Sequence, residues 1–171
     1  MFYALWPDDT ARAALARASG LMQRALGGRR MRDDTLHMTL AFLGETDVEN
    51  LPHLLAPPAD LAPPAFTLAL DDWGCWKGGI GWAAPSRTPE PLRGLASDLR
   101  GWLRDADFRL EARAFAPHVT LVRDARLAAL PGTMPPIGWR VDSYVLVRSR
   151  PAAGGSRYDV LGRWPLAGPA G

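Results

Sequence analysis

The strongest constraint on the fold of this 171-residue chain is a local sequence that occurs twice, as His37-Met38-Thr39-Leu40 and as His118-Val119-Thr120-Leu121. In an extended strand, residues i and i+2 point to one face and residues i+1 and i+3 to the other. Each copy therefore places an imidazole and a hydroxyl on one face and two apolar anchors on the opposite one. The chain has only three histidines and eight threonines, so two histidines gaining a threonine at +2 by chance is on the order of a one-in-a-hundred event. A fold that accommodates both copies needs two strands, each with one face in a core.

The surrounding pattern supplies the rest of the elements. Residues 1–6 read as a short buried strand, and Pro7-Asp8-Asp9-Thr10 as turn and N-cap chemistry for a first helix. Ala11, Ala14, Leu15, Ala18, Leu21, Met22, Ala25 and Leu26 recur at helical spacing until Gly27-Gly28. After a basic loop (Arg29, Arg30, Arg32), residues 36–43 alternate as a strand, and 47–55 suggest a short helix. Residues 66–70 and 78–84 read as strands, with a turn around 75–79. Thr88-Pro89 caps a second long helix whose Leu92, Leu95, Leu99, Trp102 and Leu103 share a face. Residues 115–122 form the strand of the second copy. A Pro- and Gly-rich connection over 131–138 leads to a closing pair of strands, 139–147 and 158–161, around Gly154-Gly155. Strands interspersed with two long helices point to an α+β fold. Segments 1–56 and 88–125 share one order of helix, loop and His/Thr strand, which suggests a distant internal duplication.

Composition bounds the function. Twenty Lys and Arg against 18 Asp and Glu leave a net charge of +2, too small for the broad basic face that wraps a long duplex. Lys77 is the only lysine. The arginine excess fits a phosphate-handling protein, because guanidinium forks match phosphate geometry. It also fits GC-rich coding, which enriches alanine, glycine and proline as well and is the preferred explanation. Cys75 stands alone, so neither an internal disulfide nor a thiolate cluster can form. No apolar run approaches the roughly 18 residues of a membrane span. The chain also opens without a basic segment followed by an apolar one, so the cytoplasm is the expected compartment.

Two imidazoles and two hydroxyls on rigid strands suit an anionic phosphodiester. One histidine, neutral, removes a proton from an attacking water; the other, protonated, donates to the leaving oxygen. Thr39 and Thr120 bind non-bridging oxygens, and Arg123 is the best-placed cation for the growing charge. Its offset of five from His118 requires a strand end or bulge to turn it inward. Two histidines without neighbouring cysteine or carboxylate at ligand spacing are a poor zinc shell, so no metal and no cofactor is expected. His53, without a polar partner pattern, reads as structural or surface. Most aromatic residues (Phe2, Trp6, Phe42, Trp73, Trp76, Trp82, Trp139, Tyr144, Trp164) fall at core periodicity, although a nucleobase could stack on one or two. The run 73–82 is the part expected to be partly exposed.

These motifs resemble those of the two-histidine phosphoesterase superfamily. The flanks are similar to the RNA 2′,3′-cyclic phosphodiesterases, also called 2′-5′ RNA ligases. The matching stretches are Leu36-His37-Met38-Thr39-Leu40-Ala41-Phe42-Leu43-Gly44, Phe115-Ala116-Pro117-His118-Val119-Thr120-Leu121-Val122-Arg123, and the ending Ser149, Tyr158 and Trp164-Pro165-Leu166. The stretch 29–34 departs from the family in its polarity, at the expected entrance of the pocket. The resemblance implies one bilobal, pseudo-symmetric α+β domain over 1–171, with two antiparallel sheets lining a central cleft and helices outside. It places the His37 motif on one lobe and the His118 motif on the other. It implies metal-independent hydrolysis of RNA 2′,3′-cyclic phosphate ends to 2′-phosphomonoesters by a monomer, with His118 as proton acceptor and His37 as proton donor. Reversal of that chemistry would be a minor 2′-5′ ligation. Arg29, Arg30 and Arg32 are candidate guides for the RNA strand. Two other readings fit the same residues: a phosphodiesterase for small cyclic nucleotides, and a non-catalytic RNA-end-binding module.

Overall fold

The computed structural model describes residues 1–126, 129–152 and 155–168. The first half of the chain runs β1 (Phe2–Leu5), α1 (Asp9–Leu26), β2 (Arg29–Arg30), β3 (Met38–Phe42), α2 (Leu51–Leu54), β4 (Phe66–Leu70), β5 (Asp72–Trp76) and β6 (Ile80–Ala84). It continues with α3 (Glu90–Asp105), β7 (Val119–Arg123), β8 (Ile137–Val141), β9 (Ser143–Ala152) and β10 (Gly155–Pro165). Short 3-10 turns at Asp33–Thr35 and Val48–Asn50 precede β3 and α2.

The strands form antiparallel sheets in the order β10-β9-β1-β3-β7-β6-β5, with β2 on β7, and separately β4-β8. The two strands that carry the repeated sequence are neighbours at the centre of the larger sheet. They touch through one register pair, Met38 opposite Val119. The two halves of the sheet are therefore joined through a narrow junction. Helix α1 packs on β7 and β8, and α3 on β3, so each long helix supports the motif strand of the other half.

Local chemistry accounts for these elements. Asp8 caps α1 by accepting from the Ala11 N–H at 2.8 Å, and Gly27 ends the helix at φ 68°. The buried stripe of α1 (Ala11, Leu15, Ala18, Met22, Leu26) and that of α3 (Leu92, Leu95, Leu99, Leu103) enter one continuous core with Leu40 and Leu121. Each fully buried leucine contributes about 1.5–3 kcal/mol. Truncating Leu99, which is wholly buried, would cost about 2–5 kcal/mol because a cavity remains.

The structure departs from the sequence reading in several places. The expected strand over 139–147 is two strands, β8 and β9, which break at Asp142 and belong to different sheets. Asp142 is the break because its carbonyl turns away to accept from the Leu166 N–H at 2.7 Å. Residues 72–76, partly assigned to a turn, form β5, where the alternation is weak because Gly74 must lack a side chain: a Cβ there would lie 2.3 Å from the Trp82 ring. The basic loop contains β2, whose Arg29 and Arg30 pair with Arg123 and Val122. The closing hairpin is also longer than expected; of its turn, Gly154 lies outside the described residues. Thr88 gives α3 no side-chain cap, and Pro89 and Pro91 begin it instead.

Candidate active site

His37 and His118 each sit immediately before a motif strand, and both line one cavity of about 180 Å³. Thr39, Thr120 and Arg123 line it with them, so all five residues singled out from the sequence come together. The two threonine hydroxyls make no hydrogen bond to another described residue, and Arg123 has no carboxylate partner among the described residues.

The same backbone device holds both imidazoles. Nδ1 of His37 lies 2.7 Å from the Thr35 carbonyl oxygen, and Nδ1 of His118 lies 2.8 Å from the Ala116 carbonyl oxygen, two residues back in each case. A carbonyl oxygen only accepts, so each Nδ1–H donates and each Nε2 is left free for the cavity.

Both motif strands also carry a bulge at the same position. Tyr3 and Ala4 of β1 pair with Ala41 and Thr39, so Leu40 is an extra residue in β3. Gly81 and Trp82 of β6 pair with Val122 and Thr120, so Leu121 is the extra residue in β7. Consequently Leu40 and Ala41 are both buried, as are Leu121 and Val122, and the alternation restarts one residue late. This phase shift returns the residue at His+5 to the face of the histidine and threonine. In β7 that residue is Arg123, and in β3 it is Phe42; both line the cavity. The carbonyl of the bulged Leu121 accepts from the Met31 N–H at 2.9 Å and from the buried Ser19 hydroxyl at 2.7 Å. Gly28 (φ 80°) lets the chain pass this strand, since a Cβ there would lie 2.4 Å from the Arg123 carbonyl oxygen.

The environments of the two histidines differ. His37 is stacked on Phe2 (4.8 Å between centroids, 26°) and on Trp6 (5.6 Å, 13°), with Tyr158 edge-on at 5.3 Å. Desolvation by these rings pulls its pKa down to about 4; the Thr35 carbonyl opposes the shift, and His118 and Arg123 add to it. His118 meets Trp76 edge-on at 4.5 Å. Burial lowers its pKa as well, opposed by the Ala116 carbonyl and reinforced by Arg113 and Arg123.

Residues 5–82 match the LigT-like phosphoesterase family. The chain is 38% identical over 144 residues to the RNA 2′,3′-cyclic phosphodiesterase of Escherichia coli strain K12, covering 81% of this chain and 80% of that protein. It is 31% identical over 182 residues to the RNA 2′,3′-cyclic phosphodiesterase of Thermus thermophilus, covering 100% of this chain and 92% of that one. The chain belongs to the LigT-like phosphoesterase family. Among solved structures, E. coli LigT complexed with 3′-AMP superposes with a TM-score of 0.83 at 34% identity, covering 96% of each chain. A crystal structure from T. thermophilus superposes with a TM-score of 0.82 at 29% identity, over 98% of this chain and 97% of that one. The α+β class with antiparallel sheets, expected from the sequence, is the fold of this phosphoesterase, and the chain is an enzyme of the hydrolase class. Among the described residues, no helix is long and apolar enough to cross a membrane.

Sequence reasoning missed several residues of this phosphoesterase's cavity: Phe2, Met31, Thr35 and Tyr158, and Phe42 as more than a core aromatic. Phe42 is 52% exposed. The signal that could have found it is its position, five residues after His37, matching Arg123 after His118. Tyr158 reaches His37 from the terminal hairpin, and no local pattern links the two. Trp73 is buried while Trp76 is 36% exposed, so only part of the run 73–82 faces outward. His53 is exposed and stacks on Trp102 and Phe108, outside the residues that line the cavity, in keeping with a structural or surface histidine. The candidate guides are each neutralised: Arg29 lies 3.8 Å from Asp124, Arg30 pairs with Asp33 and Arg32 with Asp34.

Proposed function

We propose that this phosphoesterase hydrolyses RNA ends carrying a 2′,3′-cyclic phosphate to 2′-phosphomonoesters, by acid/base catalysis between His37 and His118. The observation that carries the reading is the matched pair of imidazoles, each tied through Nδ1 to a carbonyl, that share one cavity with Arg123. The names of the E. coli and T. thermophilus relatives supply the substrate class.

Nε2 of neutral His118 accepts a proton from water as the water oxygen bonds to phosphorus. The bond from phosphorus to the 3′ oxygen breaks, and that oxygen takes the proton from Nε2 of protonated His37. The Thr39 and Thr120 hydroxyls donate to the non-bridging oxygens, and Arg123 neutralises the charge that grows on them. The lowered pKa values leave both histidines neutral in the empty site at pH 7. A bound phosphodiester anion beside His37 favours its protonated form, so substrate and catalytic proton arrive together. These steps draw on the chain's own side chains and call on no metal or cofactor. A 5′-hydroxyl in the place of water, giving its proton to His118 as the bond to the 3′ oxygen breaks, would make the 2′-5′ linkage of a minor ligation. The exposed ring of Phe42, at the position equivalent to Arg123, offers a nucleobase a stacking surface. In this reading residues 1–171 form one two-lobed domain, with His37 on one lobe and His118 on the other. It works as a monomer in the cytoplasm.

The test is incubation of a short RNA ending in a 2′,3′-cyclic phosphate with excess chelator, followed by identification of the product. A 2′-phosphate product that disappears in both His37→Ala and His118→Ala is the expected result. A 3′-phosphate product would reject the choice of leaving oxygen. Full activity in both variants would reject the acid/base pair, and recovery of unchanged RNA would make the protein an end-binding module.

A further inference from the structure

Helix α3 buries Leu92, Leu95, Leu99 and Leu103 and turns a second stripe outward. Arg93, Ser97, Arg100 and Arg104 are spaced i, i+4, i+7 and i+11, so they share one helix face. With Arg113 and Phe115 they line a groove of about 450 Å³. Arg100, Arg113 and Phe115 also line a second hollow of about 290 Å³, whose other wall includes Thr39, Phe42, His118 and Arg123. Those four residues belong to the histidine cavity. The three hollows are therefore one continuous path from the histidines to the exposed face of α3.

The charge along this path is unbalanced. Glu111 is its one acidic lining residue and lies 3.4 Å from Arg113. Arg93, Arg100 and Arg104 have no carboxylate partner among the described residues; Arg100 instead donates to the carbonyls of Glu111 and Arg113 at 2.8 and 3.2 Å. The basic groups on the opposite flank, Arg29, Arg30 and Arg32, each have an aspartate. Uncompensated guanidinium groups on one face are the complement of a polyanion. The span from Arg93 to Arg104 is about 16 Å along the helix, at about 1.5 Å per residue. A stacked strand rises about 3.4 Å per nucleotide, so this length receives a few nucleotides.

We infer that the α3 groove is the track for the RNA strand on the 5′ side of the cyclic phosphate, and that Arg93 and Arg104 bind its backbone phosphates. The inference rests on the cyclic phosphodiesterase reading for the identity of the strand. A cyclic phosphate closes the 3′ end, so the polynucleotide leaves the cavity in the 5′ direction only. Between the α3 side and the side of Arg29, Arg30 and Arg32, it is the α3 side whose cations are unpaired among the described residues. The site is thereby a reader of oligonucleotide ends, with mononucleotides as poor substrates.

The experiment compares the wild type with the Arg93→Ala/Arg104→Ala double variant, neither residue lining the histidine cavity. Equal thermal midpoints establish folding. Turnover is measured on a mononucleoside 2′,3′-cyclic phosphate and on a decanucleotide with the same end, at low and physiological salt. The expected result is a loss of about tenfold or more in kcat/KM for the decanucleotide, carried by KM, with the mononucleotide changed by less than about twofold. The salt slope for the decanucleotide should become shallower by about 1.4, or about 0.7 for each phosphate left without its arginine. An equal loss on both substrates, or no loss on the decanucleotide, overturns the track. Anisotropy with a labelled 3′-phosphorylated decanucleotide reads binding without turnover. Affinity weakened about tenfold in the double variant, in a protein that turns over neither cyclic substrate, keeps the groove and overturns the cyclic phosphodiesterase reading. Turnover of both substrates with unchanged anisotropy overturns the groove alone.

Discussion

The Ser19 hydroxyl donates to the Leu121 carbonyl oxygen at 2.7 Å, across 102 residues of sequence, and so ties helix α1 to the bulge that aims Arg123. Ser19 is wholly buried, a cost that its hydrogen bond offsets. The Leu121 carbonyl keeps the Met31 N–H as a second donor. Ser19→Ala should therefore destabilise the fold by only about 0.5–1.5 kcal/mol, read by denaturant unfolding. If the bond also steadies the bulge, kcat/KM should fall by more than the loss of folded protein accounts for. Activity that tracks the folded fraction would separate Ser19 from the position of Arg123.

Arg123 is the cavity cation without an acidic partner among the described residues, so its truncation strands no buried carboxylate. Arg123→Ala should lower kcat/KM by about 10²–10³, the loss seen when one preorganised donor to a developing oxyanion is removed. Arg123→Lys should recover part of this, because it keeps the charge but not the two-pronged geometry. Complete recovery by lysine would show that charge alone is used.

Phe42 and Arg123 occupy equivalent places after the two histidines, yet one is a ring and the other a cation. Phe42→Ala should raise KM for nucleotide substrates by about tenfold, on the scale of one base–aromatic stack of about 1–3 kcal/mol. Its kcat should change little, because stacking is made equally in the bound and transition states. A fall in kcat at unchanged KM would give the ring a different task.

The repeated His/Thr pattern was legible because strand periodicity is a local property. His37, Thr39, His118 and Thr120 needed nothing beyond it to be placed around one site. Arg123 was legible only as an exception, because a bulge at Leu121 looks in sequence like two successive apolar residues. The equivalent bulge at Leu40 hid Phe42 among the core aromatics. Tyr158 and Phe2 reach His37 through pairings that no local pattern encodes. The α3 arginines were invisible for a related reason. On the helix alone they are a solvated stripe, and they become a groove wall only when 111–115 packs opposite. The strand expected over 139–147 was divided by Asp142, whose role depends on Leu166, 24 residues away.

The pH dependence of activity follows from the direction of both histidine shifts. The reactive free enzyme carries one protonated and one neutral imidazole, and burial moves both pKa values below the ordinary 6.5. The profile of kcat/KM should therefore be bell-shaped, with its maximum below about pH 6.5 and a decline through neutrality. The profile of kcat, which reports the complex, should lie at higher pH because the bound anion favours the protonated imidazole. A kcat/KM profile centred above pH 7 would contradict the burial of the pair.

His37, packed among Phe2, Trp6 and Tyr158, also carries a stability signature that needs no substrate. Its pKa in the folded chain is about 4, against about 6.5 when unfolded. Between these values the unfolded state binds more protons, so stability falls as the pH drops through this window and is unaffected by His37 above it. Near pH 5 the cost amounts to about 2 kcal/mol. His37→Phe removes the titrating group and keeps a ring beside Phe2 and Trp6. Its unfolding free energy should thus change less between pH 7 and pH 5 than that of the wild type, by about 2 kcal/mol. Parallel pH dependences for the two proteins would mean that His37 takes up its proton in the fold as readily as in the unfolded chain. The aromatic stack would then not exclude water from the imidazole.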